Sequence, residues 1–286
     1  MKKKSISFLV IIFILFGKNL VSQEGESLLS NYNFNPSEES FNALVIKLNK
    51  DLKEISGLAI TDQGRLFCHN DEKGEIFQLD YLSGKILKSF SLKKKVKEDF
   101  EGIAIVKNLF YMVTSEGNIY EFKEGKNGSK VEYKVYETDL KSKYDVEGLC
   151  YDPETNSLLL ACKEFAGKGI KNKRAVYSFS LKKKKLLDKP RFLISIAKME
   201  EASDYDTFNP SGIERHPLSG TFFIITGKGR SVVEISPKGK LLAENDLNDK
   251  IHRQPEGIAF LPDNSLLISD EGDDNNARLT VYPFNP

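Results

Sequence analysis

A chain of 286 residues with 42 Lys and Arg against 41 Asp and Glu carries a formal net charge of only +1. That balance leaves no electrostatic case for nucleic acid as a partner, since affinity for a phosphate backbone rests on a basic excess. Cys68, Cys150 and Cys162 each sit inside an apolar run, where a thiol packs as a small hydrophobe, and they do not read as a disulfide framework.

Residues 1–22 read as an export signal. Lys2, Lys3 and Lys4 precede an almost unbroken apolar run from Ile6 to Phe16, and Ser22 offers a cleavage point. The run is about half the ~20 residues that a membrane-spanning helix needs. The expected location is therefore exported: periplasmic, secreted or associated with the cell envelope. Leu20 is not the small residue usually found two positions before a cleavage point, so an uncleaved signal stays open as the one route to membrane association. Residues 23–41, rich in Ser, Asn and Glu, read as a polar tether, and 42–286 as the folded domain.

That domain is built on a repeat. Glu54-Ile55-Ser56-Gly57-Leu58, Asp99-Phe100-Glu101-Gly102-Ile103, Asp145-Val146-Glu147-Gly148-Leu149, Asn209-Pro210-Ser211-Gly212-Ile213 and Gln254-Pro255-Glu256-Gly257-Ile258 share one pattern. A polar residue and a spacer precede Glu or Ser, then Gly, then Ile or Leu. The glycines are 45, 46, 64 and 45 residues apart. Intervals in the mid-forties match a four-stranded propeller blade, and an insertion over Phe165–Lys173 with a tail at Lys198–Phe208 accounts for the long one.

Each anchor is followed by alternating β-prone segments with tight turns and no convincing helix. The first unit predicts strands over 55–61, 65–70, 74–80 and 84–91, and the second over 101–106, 108–114, 117–123 and 130–137. The fifth supplies only 256–261, 265–269 and 277–283. Asn42–Leu48 is an orphan strand that would complete it, closing the ring and removing two exposed edges. The expectation is an all-β, five-bladed propeller closed by its N-terminal strand, with six blades as the alternative.

The first strand of each blade lines a propeller's channel, and the anchors place Glu101, Glu147, Glu256, Ser56 and Ser211 there. A second acidic ring, Glu72, Glu116, Glu164 and Glu271 with Lys228 in the fourth blade, is expected where second strands return to the same mouth. Carboxylates crowded in a narrow channel stay ionised only if a positive charge joins them. The three histidines are scattered and no paired Cys/His pattern for zinc exists, so the expected ion is Ca²⁺, which takes six to eight oxygen ligands. Its ligands would be the three anchor glutamates, with the two serines as weaker donors. The alternative is that these glutamates hydrogen-bond the neighbouring blade's backbone and tie blades together.

These motifs, together with Leu52-Lys53 before the first anchor and Ser269-Asp270-Glu271 after the last, resemble the SdiA-regulated (YjiK-like) family. The likeness runs from about residue 42 to the C-terminus. It implies a five-bladed propeller distantly related to NHL-repeat proteins and a calcium site, but it implies no reaction.

Two functions follow as expectations. One is a calcium-containing binding or scaffold module whose mouth takes a small molecule or an envelope protein, overhung by loops at Phe165–Lys173, Ala202–Phe208 and Ile251–Gln254. The other is a calcium-dependent hydrolase of the lactonase, esterase or phosphoesterase type. In it His252, four residues before Glu256, would be the candidate base, and Arg253 or Lys228 would hold an anion. No Gly-x-Ser-x-Gly nucleophile elbow is present.

Overall fold

The computed structural model describes residues 27–34, 43–196, 208–272 and 276–286, and each anchor in it opens the first strand of its own antiparallel sheet. The first blade comprises Ile55–Ile60, Leu66–Asn70, Glu75–Leu79 and Ile86–Leu92. The second comprises Phe100–Val106, Leu109–Thr114, Ile119–Lys123 and Tyr133–Tyr136. The third runs Val146–Asp152, Ser157–Cys162 and Lys173–Ser180, edged by Lys185–Leu186 and Phe192–Ser195. The fourth is Pro210–Arg215, Phe222–Thr226, Ser231–Ile235 and Leu241–Asp246. First strands touch one another in a closed cycle, blade one to two to three to four to five and back to one. Five blades are present, not six.

The fifth blade holds Pro255–Phe260, Leu266–Asp270 and Arg278–Tyr282, and Leu44–Lys47 completes it antiparallel, with Leu44 opposite Val281 and Lys47 opposite Arg278. The N-terminal strand thus covers the edge that the chain's last strand would leave open. One pairing departs from the expected order. Lys130–Val131 leaves the second blade to pair in parallel with Ser91 and Leu92 of the first. The outer strand of blade one is seven residues long, and its unpaired backbone groups draw the passing segment.

Apolar side chains alternate along the strands and fill the wedges between blades. Five buried clusters occupy the five interfaces, and each draws on two neighbouring sheets. Phe67, Phe90, Phe110 and Phe122 stack edge-on or offset between blades one and two. The three cysteines are free and buried in these wedges. Among the described residues no helix is long and apolar enough to cross a membrane. The expected export signal lies outside the described residues.

Within the stretch that reads as a tether, residues 27–34 are packed. Leu29, Tyr32 and Phe34 are 0%, 4% and 3% exposed and join the cluster between blades four and five. The buried Glu234 carboxylate accepts from the backbone N–H groups of Leu28 and Leu29 at 2.8 and 3.1 Å and from the Thr221 hydroxyl at 2.6 Å. The Tyr32 hydroxyl donates to the Asn264 carbonyl at 2.8 Å and lies 2.9 Å from His216 Nε2. His216 Nδ1 accepts from the Leu218 N–H, which leaves the proton on Nε2. The polar composition hid this docking, because a few apolar side chains suffice when a buried carboxylate satisfies the backbone. Tyr32→Ala is expected to cost about 3 kcal/mol, as for other buried aromatic truncations. In thermal unfolding that is roughly 5–10 °C for a domain of this size; an unpacked tether would leave the midpoint unmoved.

Candidate functional site

Pairing between first and second strands slips at every anchor: between Ile55 and Leu58, Phe100 and Gly102, Val146 and Gly148, Pro210 and Gly212, and Pro255 and Gly257. The Glu or Ser of each anchor is therefore the unpaired residue of a β-bulge, a device that re-aims a side chain out of its ladder. The glycine that follows lies against the next blade. A Cβ on Gly57 would sit 2.9 Å from Ile103 N, on Gly102 2.8 Å from Leu149 N, and on Gly148 3.0 Å from Ile213 N. One on Gly212 would sit 2.7 Å from Glu256 O, and one on Gly257 2.5 Å from Ser56 O. The five anchors thus form a backbone ring around a narrow axial cavity, lined by these glycines, the aliphatic residues after them, Glu101 and Glu256.

Glu101, Glu147 and Glu256 share one field. Burial raises the Glu101 carboxyl well above its ordinary value, and Glu147, Asp99 and Glu256 push it further. A side-chain contact with Asp99 adds to the rise. Burial likewise raises Glu256, with Glu147 and Glu271 adding to it. Glu147 is only 7% exposed and is raised by burial, against the opposing pull of Lys163. The structure brings the three anchor glutamates together.

The second ring requires a correction of one residue. Opposite the bulges, Pro255 pairs with Asp270, Phe100 with Thr114 and Val146 with Cys162. The residue after each of these returns to the mouth, which selects Asp71, Ser115, Lys163, Gly227 and Glu271. Backbone hydrogen bonds hold them there: Asp71 N to Glu54 O, Ser115 N to Asp99 O, Lys163 N to Asp145 O and Glu271 N to Gln254 O. Glu271 keeps its predicted place, whereas Glu72, Glu116, Glu164 and Lys228 fall one step beyond and are exposed. Hairpin length and the register at the bulge together set where each second strand returns, so the intervals of 14 to 16 counted from the glycines overshoot by one residue in the first four blades.

This register brings together Glu54, Asp71 and Glu271, three half-buried carboxylates offering oxygens within 4.8 Å of one another. Burial raises Asp71, with Glu54, Glu72 and Asp99 adding to it. Gln254 Nε2 donates to Glu271 and also hydrogen-bonds Glu256, which links this trio to the axial glutamates. Lys163 is the cation inside the cluster: its Nζ lies 2.6 Å from Glu147 Oε1 and 3.7 Å from Asp145 Oδ2. Sequence reasoning missed Asp71 and Lys163, although counting the register from a bulge would have found both.

The other expected site residues are otherwise engaged. The Ser211 hydroxyl donates to the Pro255 carbonyl at 2.6 Å and ties blade four to blade five, while Ser56 is 3% exposed at the ring itself. His252 is fully buried; its Nδ1 donates to Asp270 Oδ2 at 2.8 Å, and its Nε2 meets the Tyr282 hydroxyl at 2.6 Å. It does not open onto the mouth. Arg253 and Lys228 are exposed. His69 Nε2 accepts from Gly57 N at 3.1 Å while its Nδ1 lies 3.0 Å from Asn70 O, and burial lowers its pKa to about 4, so a neutral ring braces the first anchor.

Fold and site together define a five-bladed β-propeller with an acidic mouth. A family model described as SdiA-regulated matches residues 39–192 and 201–283, and the chain belongs to that family. No curated protein sequence matches it. Similar solved structures include the Myxococcus xanthus glutaminyl cyclase, with TM-score 0.58 and 14% identity over 85% of this chain and 96% of that one. A glucose dehydrogenase aligns with TM-score 0.56 and 10% identity over 83% and 98%. A streptogramin B lyase gives 0.52 and 12% over 86% and 100%. At these identities the likeness is one of fold.

The raised carboxyls predict a pH dependence of definite sign. Glu101 and Glu256 bind protons more tightly folded than unfolded, so their stabilising contribution is full below the ordinary value of 4.5 and is lost as pH rises through the folded values. In chelator, the unfolding free energy of the Glu101→Gln/Glu256→Gln variant relative to wild type should climb between about pH 5 and pH 8. A difference that stays constant across that window, in denaturant titrations, would refute the crowding. His252→Ala should cost on the order of 3 kcal/mol by stranding the buried Asp270 carboxylate. Thermal unfolding checks this; an unmoved midpoint would return His252 to the mouth.

Proposed function

We propose that this chain is an exported, calcium-containing propeller whose acidic mouth binds a small molecule or an envelope protein, a binding or scaffold module rather than a catalyst. The observation that carries the reading is the trio Glu54, Asp71 and Glu271, whose Glu271 lies in the field of the axial Glu256. The donors are hard carboxylate oxygens with no Cys or His among them, which suits Ca²⁺ and not zinc. Their mutual spacing also suits it. Two ligands at Ca–O distances of about 2.3–2.6 Å lie at most ~5 Å apart, and the trio falls inside that limit at 4.8 Å. Glu54, Asp71 and Glu271 would hold the ion, and its charge would lower the proton affinity of Glu101 and Glu256. A bound ion would give the mouth a positive centre for carbonyl, carboxylate or phosphate oxygens. Export rests on the basic and apolar segments at Lys2–Lys4 and Ile6–Phe16.

The hydrolase alternative needs a base beside the ion. Its candidate, His252, is enclosed by Asp270 and Tyr282, which favours binding over catalysis. After chelation, Ca²⁺ at about a hundredfold over Kd should add roughly 2.7 kcal/mol, a rise of several degrees in the thermal midpoint. The Glu54→Gln/Asp71→Asn/Glu271→Gln variant should abolish that rise. No shift in wild type would overturn the calcium reading. A shift lost only in the axial Glu101→Gln/Glu256→Gln variant would move the ion down to the axis.

A further inference from the structure

The mouth is built with approximate rotational symmetry but uneven charge: blades two and four return the uncharged Ser115 and Gly227, and one of the other three carries the opposite sign. In blades one and five the residue returning to the mouth is an acid, Asp71 or Glu271; in blade three it is Lys163. All three are held by the same bond, from their own N–H to the carbonyl of the loop that enters the blade: 3.2 Å to Glu54, 3.0 Å to Gln254 and 2.8 Å to Asp145. Lys163 therefore occupies the structural position of a cation ligand while carrying the opposite charge. Its ammonium is committed to Glu147 at 2.6 Å and Asp145 at 3.7 Å, and the Glu147 side chain is only 10% exposed.

We propose that the Lys163 ammonium is a built-in cation that neutralises the blade-three half of the acidic mouth, confining divalent-ion binding to the half formed by blades one and five and setting its affinity. The inference rests on the reading of the mouth as a cation site. Without Lys163, Asp145 and Glu147 would lose the ammonium paired with them, close to the buried Glu256. An acidic centre in that state recruits a cation from solution. With Lys163 present the same charge is supplied by the chain, permanently and without dependence on ion concentration.

The test compares wild type, Lys163→Met and Lys163→Arg by calorimetric titration with CaCl₂ after chelation, alongside thermal unfolding in chelator. Lys163→Met, which keeps the aliphatic stem and removes the charge, should bind Ca²⁺ roughly tenfold tighter or more, or take up a second ion, and should unfold at lower temperature without Ca²⁺. Lys163→Arg should behave as wild type. If wild type binds Ca²⁺ and Lys163→Met binds it with the same affinity and number of ions, this inference falls and the calcium reading stands. If wild type binds none but Lys163→Met does, the calcium reading falls and the lysine's role stands. If neither binds, both fall. Should Lys163→Met fail to fold in chelator, recovery of its β-sheet circular dichroism on adding CaCl₂ would support the substitution of ion for ammonium. Failure to recover at saturating CaCl₂ would overturn it.

Discussion

Contact between backbones at the axis is the constraint on which this molecule depends. Each anchor glycine abuts main-chain atoms of the next blade, from Gly57 through Gly257 and back to Ser56. No side chain fits there, so the five sheets approach closely enough for the wedges between them to be filled by ordinary core residues. Strand alternation alone would make five sheets. The glycine ring makes them one domain.

The same constraint produces the charge problem. Bulges at the ring release Glu101, Glu147 and Glu256 from their ladders toward a common axis, and close approach of the blades denies them the separation that would let each ionise independently. The chain answers in several ways at once. Burial and neighbouring acids raise the proton affinity of Glu101, an ammonium from Lys163 meets Glu147, and an amide from Gln254 serves both Glu256 and Glu271. Beside the trio of Glu54, Asp71 and Glu271, the exposed Lys53 lies 3.5 Å from Glu54.

Buried polar groups elsewhere do structural work of a similar kind. Each histidine is buried with both ring nitrogens engaged: His69 under the first anchor, His216 under the docked N-terminal segment, and His252 between Asp270 and Tyr282. Glu234 receives the backbone of residues 28 and 29, and Leu44–Lys47 then completes the last sheet. The two contacts fasten the start of the chain to its end and hold the ring shut from outside the axis.

The blade count, the N-terminal closing strand and the convergence of three glutamates were all legible in the amino-acid sequence, because each depends on local period and on a motif repeated five times. Residues 27–34 looked like a tether because docking by a few apolar side chains leaves no periodic signal. Of the residues returning to the mouth, only Glu271 was legible. The others depend on hairpin length and on strand register at the bulge, which bring Asp71 and Lys163 to the mouth and leave Glu72 and Glu164 one step beyond. His252 looked available beside Glu256 because sequence distance says nothing about which way a loop turns, and the fold turned it into the core. Sequence alone determined that this chain is a closed ring of five blades with acid at its centre. Only the tertiary structure decided which acids face one another and which lysine stands among them, because those depend on strand register across blades, which no local pattern encodes.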